Sequence, residues 1–214
     1  MNKFIIGGII IVFVAAAGIF VWKTLPNSKA PVQQPAPQPQ EMAPSTYATT
    51  TFSVVYSRDF TADDSHVYDQ VNPNKPIYGV RFTAPVAMVT GTNLANDTYL
   101  SVEQLPRAQN CTGDIYLAAN VKASEVTESG VKYSLATSSG AAAGNLYEEM
   151  VYALSGSSPC TAVRYYIHST NIGNYATGTV EFDRSALLAA FDTIRQSLVL
   201  GSTPASTPAA TTTP

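Results

Sequence analysis

Short runs of β-branched and aromatic residues, separated by Gly, Pro, Asn and Ser, predict several strands in the middle of the chain. Short turns between strands favour a mostly antiparallel sheet. The run Leu146–Leu154 also fits a helix, but its flanking glycines favour a strand. Arg58–Pro76, rich in Asp, Asn and Pro, is predicted to be an exposed loop. The predicted strands are Tyr47–Tyr56, Ile77–Thr83, Thr98–Gln104, Ile115–Leu117, Val131–Thr137, Leu146–Leu154 and Ala162–His168.

A helical pattern follows near the end of the chain, at Arg184–Leu198. Asp183 is placed to accept hydrogen bonds from the free amides of its first turn. Apolar residues recur at helical spacing and form one stripe for packing on a sheet: Leu187, Phe191, Ile194 and Leu198. The predicted fold class is therefore α+β, a mostly antiparallel β-sheet packed by a C-terminal amphipathic helix.

The N-terminal run Phe4–Trp22 has no charged residue. As a helix it would be about 28 Å long, close to the roughly 30 Å of a bilayer core. We predict that one transmembrane helix in residues 1–23 precedes the folded domain and binds the membrane through residues 4–22. Cleavage of a signal peptide after Ala17 is the alternative, which the apolar residues beyond Ala17 disfavour.

Two segments of low complexity border the predicted domain. Residues 24–46 contain six prolines and four glutamines, and residues 201–214 consist of Gly, Ser, Thr, Pro and Ala. Such compositions cannot form a core. We therefore predict a Pro/Gln-rich linker at 24–46, an extracytoplasmic domain at 47–200 and a disordered tail at 201–214.

The chain has two cysteines, Cys111 and Cys160, without the CxxC spacing of redox or metal sites. A disulfide is the simplest interpretation, and two buried free thiols are the alternative. Disulfides persist in oxidising compartments. Together with the predicted span, this pair predicts a single-pass protein of the cell membrane whose C-terminal domain is extracytoplasmic.

Charge restricts the partners. Residues 47–199 carry fourteen acidic and nine basic side chains, a formal net charge of −5. Nucleic-acid binding requires a basic surface, so we predict no nucleic-acid partner. Neither a P-loop nor a dinucleotide GxGxxG motif occurs, and no cofactor is predicted.

One predicted strand carries a polar face. In Ala162–His168, alternation places Arg164, Tyr166 and His168 on the same side. Glu149, on the neighbouring predicted strand, is placed to oppose Arg164 as a cross-strand ion pair. Either this pair is only structural, or Glu149, Arg164, Tyr166 and His168 form a shallow polar binding surface, which is our candidate site.

Other chemistry has weaker support. Asp63, Asp64, His66 and Asp69 lack the glycine and bidentate glutamate of a calcium loop, so no metal site is predicted. His168 and Asp183 could join a serine in a hydrolase, but no GxSxG turn occurs. We predict that the protein is not an enzyme.

Four runs of the sequence resemble an uncharacterised domain of small bacterial membrane-anchored proteins. The strands and the closing FDTIRQSL segment, Phe191–Leu198, also resemble the PsbP-like α/β/α sandwich. The latter resemblance implies binding or assembly rather than catalysis. The four runs are Gly91–Pro106, Ala141–Gly156, Cys160–Thr170 and Glu181–Leu198.

These observations predict a membrane-tethered extracytoplasmic module for binding or envelope assembly, without catalytic chemistry. Its partner would be an envelope or extracellular protein. One alternative is a surface hydrolase that uses His168. Another is an inhibitor of an extracellular enzyme that inserts a loop such as Arg58–Pro76.

Overall fold

The structure is a computed structural model that describes residues 43–175 and 177–201 of the 214-residue chain. Within these ranges, 47% of the residues lie in strands or bridges and 15% in helices. The described strands form one seven-stranded sheet and one three-stranded sheet. The architecture is therefore mainly β.

Ten strands and two α-helices make up the described fold. The strands are β1 Ser45–Ala48, β2 Phe52–Tyr56, β3 Thr61–Tyr68, β4 Ile77–Thr83, β5 Tyr99–Leu105, β6 Ser124–Glu128, β7 Val131–Ala142, β8 Asn145–Leu154, β9 Cys160–Thr170 and β10 Val199–Leu200. The helices are α1 Val86–Val89 and α2 Arg184–Gln196, with 3₁₀ turns at Gly113–Tyr116 and Ile172–Asn174.

The large sheet has the order β3-β4-β5-β9-β8-β7-β6, and all neighbouring strands are antiparallel. Two-residue turns join β6 to β7 at Ser129-Gly130 and β7 to β8 at Ala143-Gly144. All four residues have positive φ, between 50° and 84°. Turns with two positive φ angles match the twist of the flanking strands, which explains these tight hairpins.

Helix α2 packs on one face of the large sheet. The side chain of Asp183 accepts a hydrogen bond from the Ala186 amide at 2.9 Å, as predicted for the N-cap. Leu187, Phe191 and Ile194 are buried, and the Phe191 ring lies 5.1 Å from that of Tyr165 on β9. The small sheet β1-β2-β10 contributes to the same hydrophobic core.

A disulfide lies on the face of the large sheet opposite α2. Cys111 is bonded to Cys160, which confirms the predicted pairing. The bond ties the loop after β5 to the first residue of β9. Within that loop, Tyr116 is fully buried and its hydroxyl donates to the Cys160 carbonyl at 2.7 Å. The loop therefore covers part of this face and leaves the rest for the site described below.

Several local predictions were wrong. Tyr47–Tyr56 is not one strand but the hairpin β1-β2, and Ile115–Leu117 lies mostly in the 3₁₀ turn Gly113–Tyr116. Arg58–Pro76 is not an exposed loop, because β3 occupies its centre. Burial of two aromatic side chains, His66 and Tyr68, accompanies pairing with β4 despite the nearby turn-forming residues. Leu146–Leu154 is confirmed as a strand within β8.

The predicted fold class also needs correction. Only one helix in residues 43–175 and 177–201 has seven or more residues, so α+β overstates the helical part. No helix in these ranges is long and apolar enough to cross a membrane. The thirteen-residue α2 is too short for a bilayer and carries charged residues. The predicted single-pass membrane localisation therefore has no support in this part of the chain.

Some predicted regions lie outside the described residues. These are the proposed span Phe4–Trp22, most of the linker (24–42) and the tail beyond Gly201. At the N-terminal boundary, Ser45 and Thr46 belong to β1 rather than to a linker, because both pair with β2.

Candidate functional site

The polar face predicted for β9 exists. Tyr165 points towards α2, whereas Arg164, Tyr166 and His168 lie on the opposite side of the sheet. On β5, Tyr99 pairs with Tyr166 and Ser101 with Arg164, which brings Tyr99, Ser101 and Glu103 to the same face. Residues from β3, β5, β8 and β9 therefore meet on this side, here called the polar face.

Arg164 is the centre of a buried ion cluster. Its side chain is fully buried and contacts Glu103 through two hydrogen bonds of 2.9 Å. A third nitrogen contact reaches Glu149 at 2.5 Å, and Nη2 also donates to the Tyr116 carbonyl at 2.7 Å. We call Arg164, Glu103, Glu149 and Tyr68 the Arg164 cluster.

Tyr68 closes this cluster from β3. The Arg164 guanidinium lies 3.6 Å from the centre of the Tyr68 ring, a cation–π geometry. The Tyr68 hydroxyl donates to Glu149 at 3.0 Å. Burial raises the pKa of Tyr68, and Glu149 raises it further, against the opposing effect of Arg164. Arg164 therefore holds Glu149 and Tyr68 in place and is itself shielded from solvent.

Glu103 remains ionised although it is fully buried. Burial raises its pKa, but the charge of Arg164 and hydrogen bonds from Arg164 and Ser101 outweigh this effect and lower the pKa to about 2. Buried charges require such paired and hydrogen-bonded surroundings. Glu103 and Arg164 therefore act as one electrostatic unit beneath the face.

A glycine lets β3 reach this unit across β4. Gly79 lies between His66 and Glu103 in the register of the sheet. The His66 Nε2 atom is 3.5 Å from Glu103 Oε1. A Cβ at Gly79 would collide with the carbonyl oxygen of Val102, so the residue at this position must lack a side chain. Gly79 thereby leaves the space through which His66 approaches Glu103.

The predicted pairing of Glu149 with Arg164 is realised in a different register. Glu149 lies directly opposite Tyr166, and Val151 lies opposite Arg164. The ion pair therefore runs diagonally between β8 and β9. A slip of two residues leaves the same side chains on the same face, so alternation alone cannot distinguish the two registers.

Beside the Arg164 cluster lies a row of aromatic rings, here called the tyrosine surface: Tyr99, Tyr147, Tyr166 and His168. The Tyr99 and Tyr166 rings are stacked at 4.9 Å, and the Tyr147 and His168 rings at 4.5 Å. Tyr147 lies 6.4 Å from Tyr166 and joins the two pairs. Tyr147, Tyr166 and His168 are partly exposed, so the row faces solvent.

His168 pairs with an acid. Its Nδ1 lies 2.7 Å from Asp97 Oδ1, and Asp97 is more than half exposed. The other ring nitrogen, Nε2, is buried and has no hydrogen-bond partner among the described residues. A hydrolase would require a nucleophile against this nitrogen. In the described part of the chain, no hydroxyl or thiol makes that contact.

A shallow cavity of about 240 Å³ adjoins the tyrosine surface. Its lining includes the aromatic residues Tyr99 and Tyr166 and the acidic residues Asp69 and Asp97. Arg81 also lines it, but its guanidinium is paired with Asp63 at 2.8 Å. The cavity therefore combines aromatic and acidic groups at the end of the tyrosine surface.

The acidic and histidine side chains of β3, for which no metal site was predicted, contact other residues. Asp63 pairs with Arg81 and accepts a hydrogen bond from Ser65, while His66 contacts Glu103. Within the described ranges, no group of three or more His, Cys, Asp or Glu side chains is arranged to hold a metal ion. The side chains on β3 thus support the sheet face.

Sequence reasoning missed several residues of the site. Alternation along Tyr99–Leu105 places Tyr99, Ser101 and Glu103 on one face, and this signal was available. A glutamate amid apolar residues in a strand also indicates a buried partner. Tyr147 was also accessible, because alternation along Leu146–Leu154 places it on the face of Glu149. The contribution of Asp97, from the turn before β5, had no comparable local signal.

No protein-family model matches the chain, and no curated protein matches it either. The resemblance to the uncharacterised bacterial domain and to the PsbP-like fold therefore stays a prediction. Inference about function depends on the geometry of the polar face.

Proposed function

We propose that this domain is a non-catalytic binding module that recognises a peptide segment of a partner protein through the tyrosine surface. The observation that carries this proposal is the row formed by two stacked ring pairs, joined by a tilted contact between Tyr147 and Tyr166, on a partly exposed sheet face. Tyrosine is enriched at protein interfaces because it contributes a large contact area at a low cost in conformational entropy.

The buried Arg164 cluster beneath the tyrosine surface supports this proposal. Tyr166 lies on the same strand as the buried Arg164, two residues away, and directly opposite Glu149, an Arg164 partner. Tyr99 lies on β5, which also carries the buried Glu103. Rings fixed on paired strands lose little freedom on binding, and preorganisation of this kind increases affinity.

The alternatives have less support. His168 has an acidic partner in Asp97, but Nε2 faces no nucleophile among the described residues, so we do not propose the hydrolase. The segment named in the inhibitor hypothesis, Arg58–Pro76, contains strand β3, which is paired with β4 in the sheet. A shallow aromatic surface fits recognition better than loop insertion.

A peptide-display selection on the full 214-residue chain tests the proposal. We expect enriched peptides whose affinity falls by about tenfold or more in the variants Tyr147→Ser and Tyr166→Ser, as for aromatic residues that dominate an interface. The matched control is Tyr78→Ser, because Tyr78 is 63% exposed and lies outside the tyrosine surface. Enrichment that is absent, or equally sensitive to Tyr78→Ser, would overturn the proposal.

A further inference from the structure

The cavity beside the tyrosine surface has unbalanced charge. Around it and beneath it lie five carboxylates, two guanidiniums and the imidazoles of His66 and His168, so carboxylates outnumber guanidiniums by three. The carboxylates belong to Asp63, Asp69, Asp97, Glu103 and Glu149, and the guanidiniums to Arg81 and Arg164. Residues 47–199 are also acidic as a whole, with a formal net charge of −5.

Two acidic residues that line the cavity, Asp69 and Asp97, are not partners of these two arginines. Arg81 pairs with Asp63, and Arg164 pairs with the buried Glu103 and with Glu149. Asp97 contacts the His168 imidazole, and Asp69 accepts a hydrogen bond from Gln70. Within the described residues, neither Asp69 nor Asp97 forms an ion pair with a lysine or arginine. The lining of the cavity therefore places two acidic residues that have no lysine or arginine partner beside aromatic residues.

The rings provide the second component of the site. Tyr166 is partly exposed and stacks on Tyr99, and both line the cavity. Burial and the nearby Asp97 carboxylate raise the pKa of Tyr166 to about 12, and the partial exposure of its side chain leaves part of the ring open to solvent. Carboxylates next to an aromatic face attract an ammonium or guanidinium group.

The same domain already uses this chemistry internally. Arg164 lies 3.6 Å from the centre of the Tyr68 ring, and Arg195 lies 4.1 Å from that of Tyr152. Both guanidiniums also contact carboxylates. The cavity presents a similar set of partners, a tyrosine ring and carboxylates, on the outside of the fold.

We propose that this cavity binds the cationic side chain of a lysine or arginine in the partner peptide, by contact with Asp97, Asp69 and the Tyr166 ring. This inference rests on the proposed function and names the residue class that the surface selects. At about 240 Å³, the cavity is smaller than the roughly 300–1,000 Å³ of pockets for drug-sized ligands. Its volume suits one long side chain.

Blocked single amino acids provide a direct test. We would titrate N-acetyl-arginine-methylamide into the ¹⁵N-labelled full chain and follow amide NMR signals. The citrulline analogue is the matched neutral probe, because it keeps the shape of arginine without its charge. The arginine probe is expected to shift the signals of Asp97, Tyr99 and Tyr166, and citrulline is expected to leave them in place. Equal shifts with both probes would overturn the proposal.

Variants distinguish the contribution of the Asp97 charge to binding from that of the Tyr166 ring. Asp97→Asn should weaken binding of the arginine probe by about fivefold or more, as loss of a carboxylate–guanidinium contact does. Glu181→Gln is the matched control, because Glu181 is exposed and lies outside the cavity. Tyr166→Phe keeps the aromatic face and should bind within about twofold of the wild type, whereas Tyr166→Leu should lose most of the affinity. Thermal unfolding verifies that each variant is folded.

The peptide selection distinguishes failure of this inference from failure of the proposed function. Selected peptides rich in lysine or arginine, with affinity reduced by Asp97→Asn, would support both. Peptides that depend on Tyr147 but contain no basic residue would overturn the cation site alone. Absence of any selected peptide would overturn the binding function itself.

Discussion

Two buried arginines lie on opposite faces of the large sheet and differ in the exposure of their partners. Arg195 on α2 packs over the Tyr152 ring and contacts Glu128 and Asp192. Both of those carboxylates are 39% exposed. On the polar face, Arg164 is paired with Glu103, which is fully buried, and with Glu149, which is 19% exposed.

This difference separates a solvent-screened contact from a buried one. Water and counterions can stabilise Glu128 and Asp192 if Arg195 is removed, as for other exposed pairs. Glu103 has no such access, and removal of one partner of a buried ion pair leaves an uncompensated charge. We infer that the Arg195 contacts fasten α2 to the sheet, whereas the Arg164 cluster determines the arrangement of strands beneath the tyrosine surface.

The largest expected effect is that of Arg164→Met. It should lower the free energy of unfolding by about 3–5 kcal/mol, because Glu103 would remain buried without its counterion. Urea unfolding measures this loss. The double variant Arg164→Met/Glu103→Leu removes both charges and should be more stable than the single variant. If the double variant were the less stable of the two, the buried charge would not be the cause.

Acidification should produce the next largest effect. The folded-state pKa of Glu103 is lowered from 4.5 to about 2, so its ionised form stabilises the fold above pH 4.5. This contribution is lost as the pH falls from 4.5 towards 2. It amounts to on the order of 3 kcal/mol, since each pKa unit corresponds to about 1.4 kcal/mol.

Urea unfolding between pH 5 and pH 2 measures this contribution. Glu103→Gln should show a much smaller decrease in stability over that interval than the wild type. A residual decrease is expected in both proteins, because hydrogen bonds lower the pKa values of the exposed Asp63 and Asp183. Identical pH dependence in wild type and variant would contradict the role assigned to Glu103.

The surroundings of Arg195 and Arg164 also show which structural features the sequence could predict. The stripe Leu187, Phe191 and Ile194 and the alternation in β9 are local patterns, and both appear in the structure. The partner of Arg164 on β5 is 61 residues away in sequence, and local periodicity carries no information about such a pairing. The sequence therefore predicted the contact of Arg164 with Glu149, but it predicted neither the contact with Glu103 nor the burial of Arg164.

The prediction of a loop where β3 lies was wrong for a related reason. Turn-forming residues dominate Arg58–Pro76, and local propensity favours a loop there. Pairing with β4 overrides this preference, since it buries Tyr68 over Arg164 and His66 beside Glu103. Tertiary contacts of this kind commonly override strand propensity. The predicted loop therefore missed the contribution of β3 to the candidate site, which is Tyr68 in the Arg164 cluster and His66 beside Glu103.

The smallest expected effect is that of Arg195→Met, at about 1–2 kcal/mol. Methionine retains apolar packing over Tyr152, and the half-exposed carboxylates Glu128 and Asp192 can rehydrate. Urea unfolding measures this change, and Arg195→Lys should lose less because it keeps the charge.

Peptide binding provides a second test of the comparison between Arg195 and Arg164. Arg195→Met should leave the affinity of peptides selected on the tyrosine surface within about twofold of the wild type, because α2 lies on the other face of the sheet. A loss of stability as large as that of Arg164→Met would contradict the distinction between the Arg195 contacts and the Arg164 cluster. A loss of peptide affinity in Arg195→Met would also contradict it, because the two faces of the sheet would then be energetically coupled.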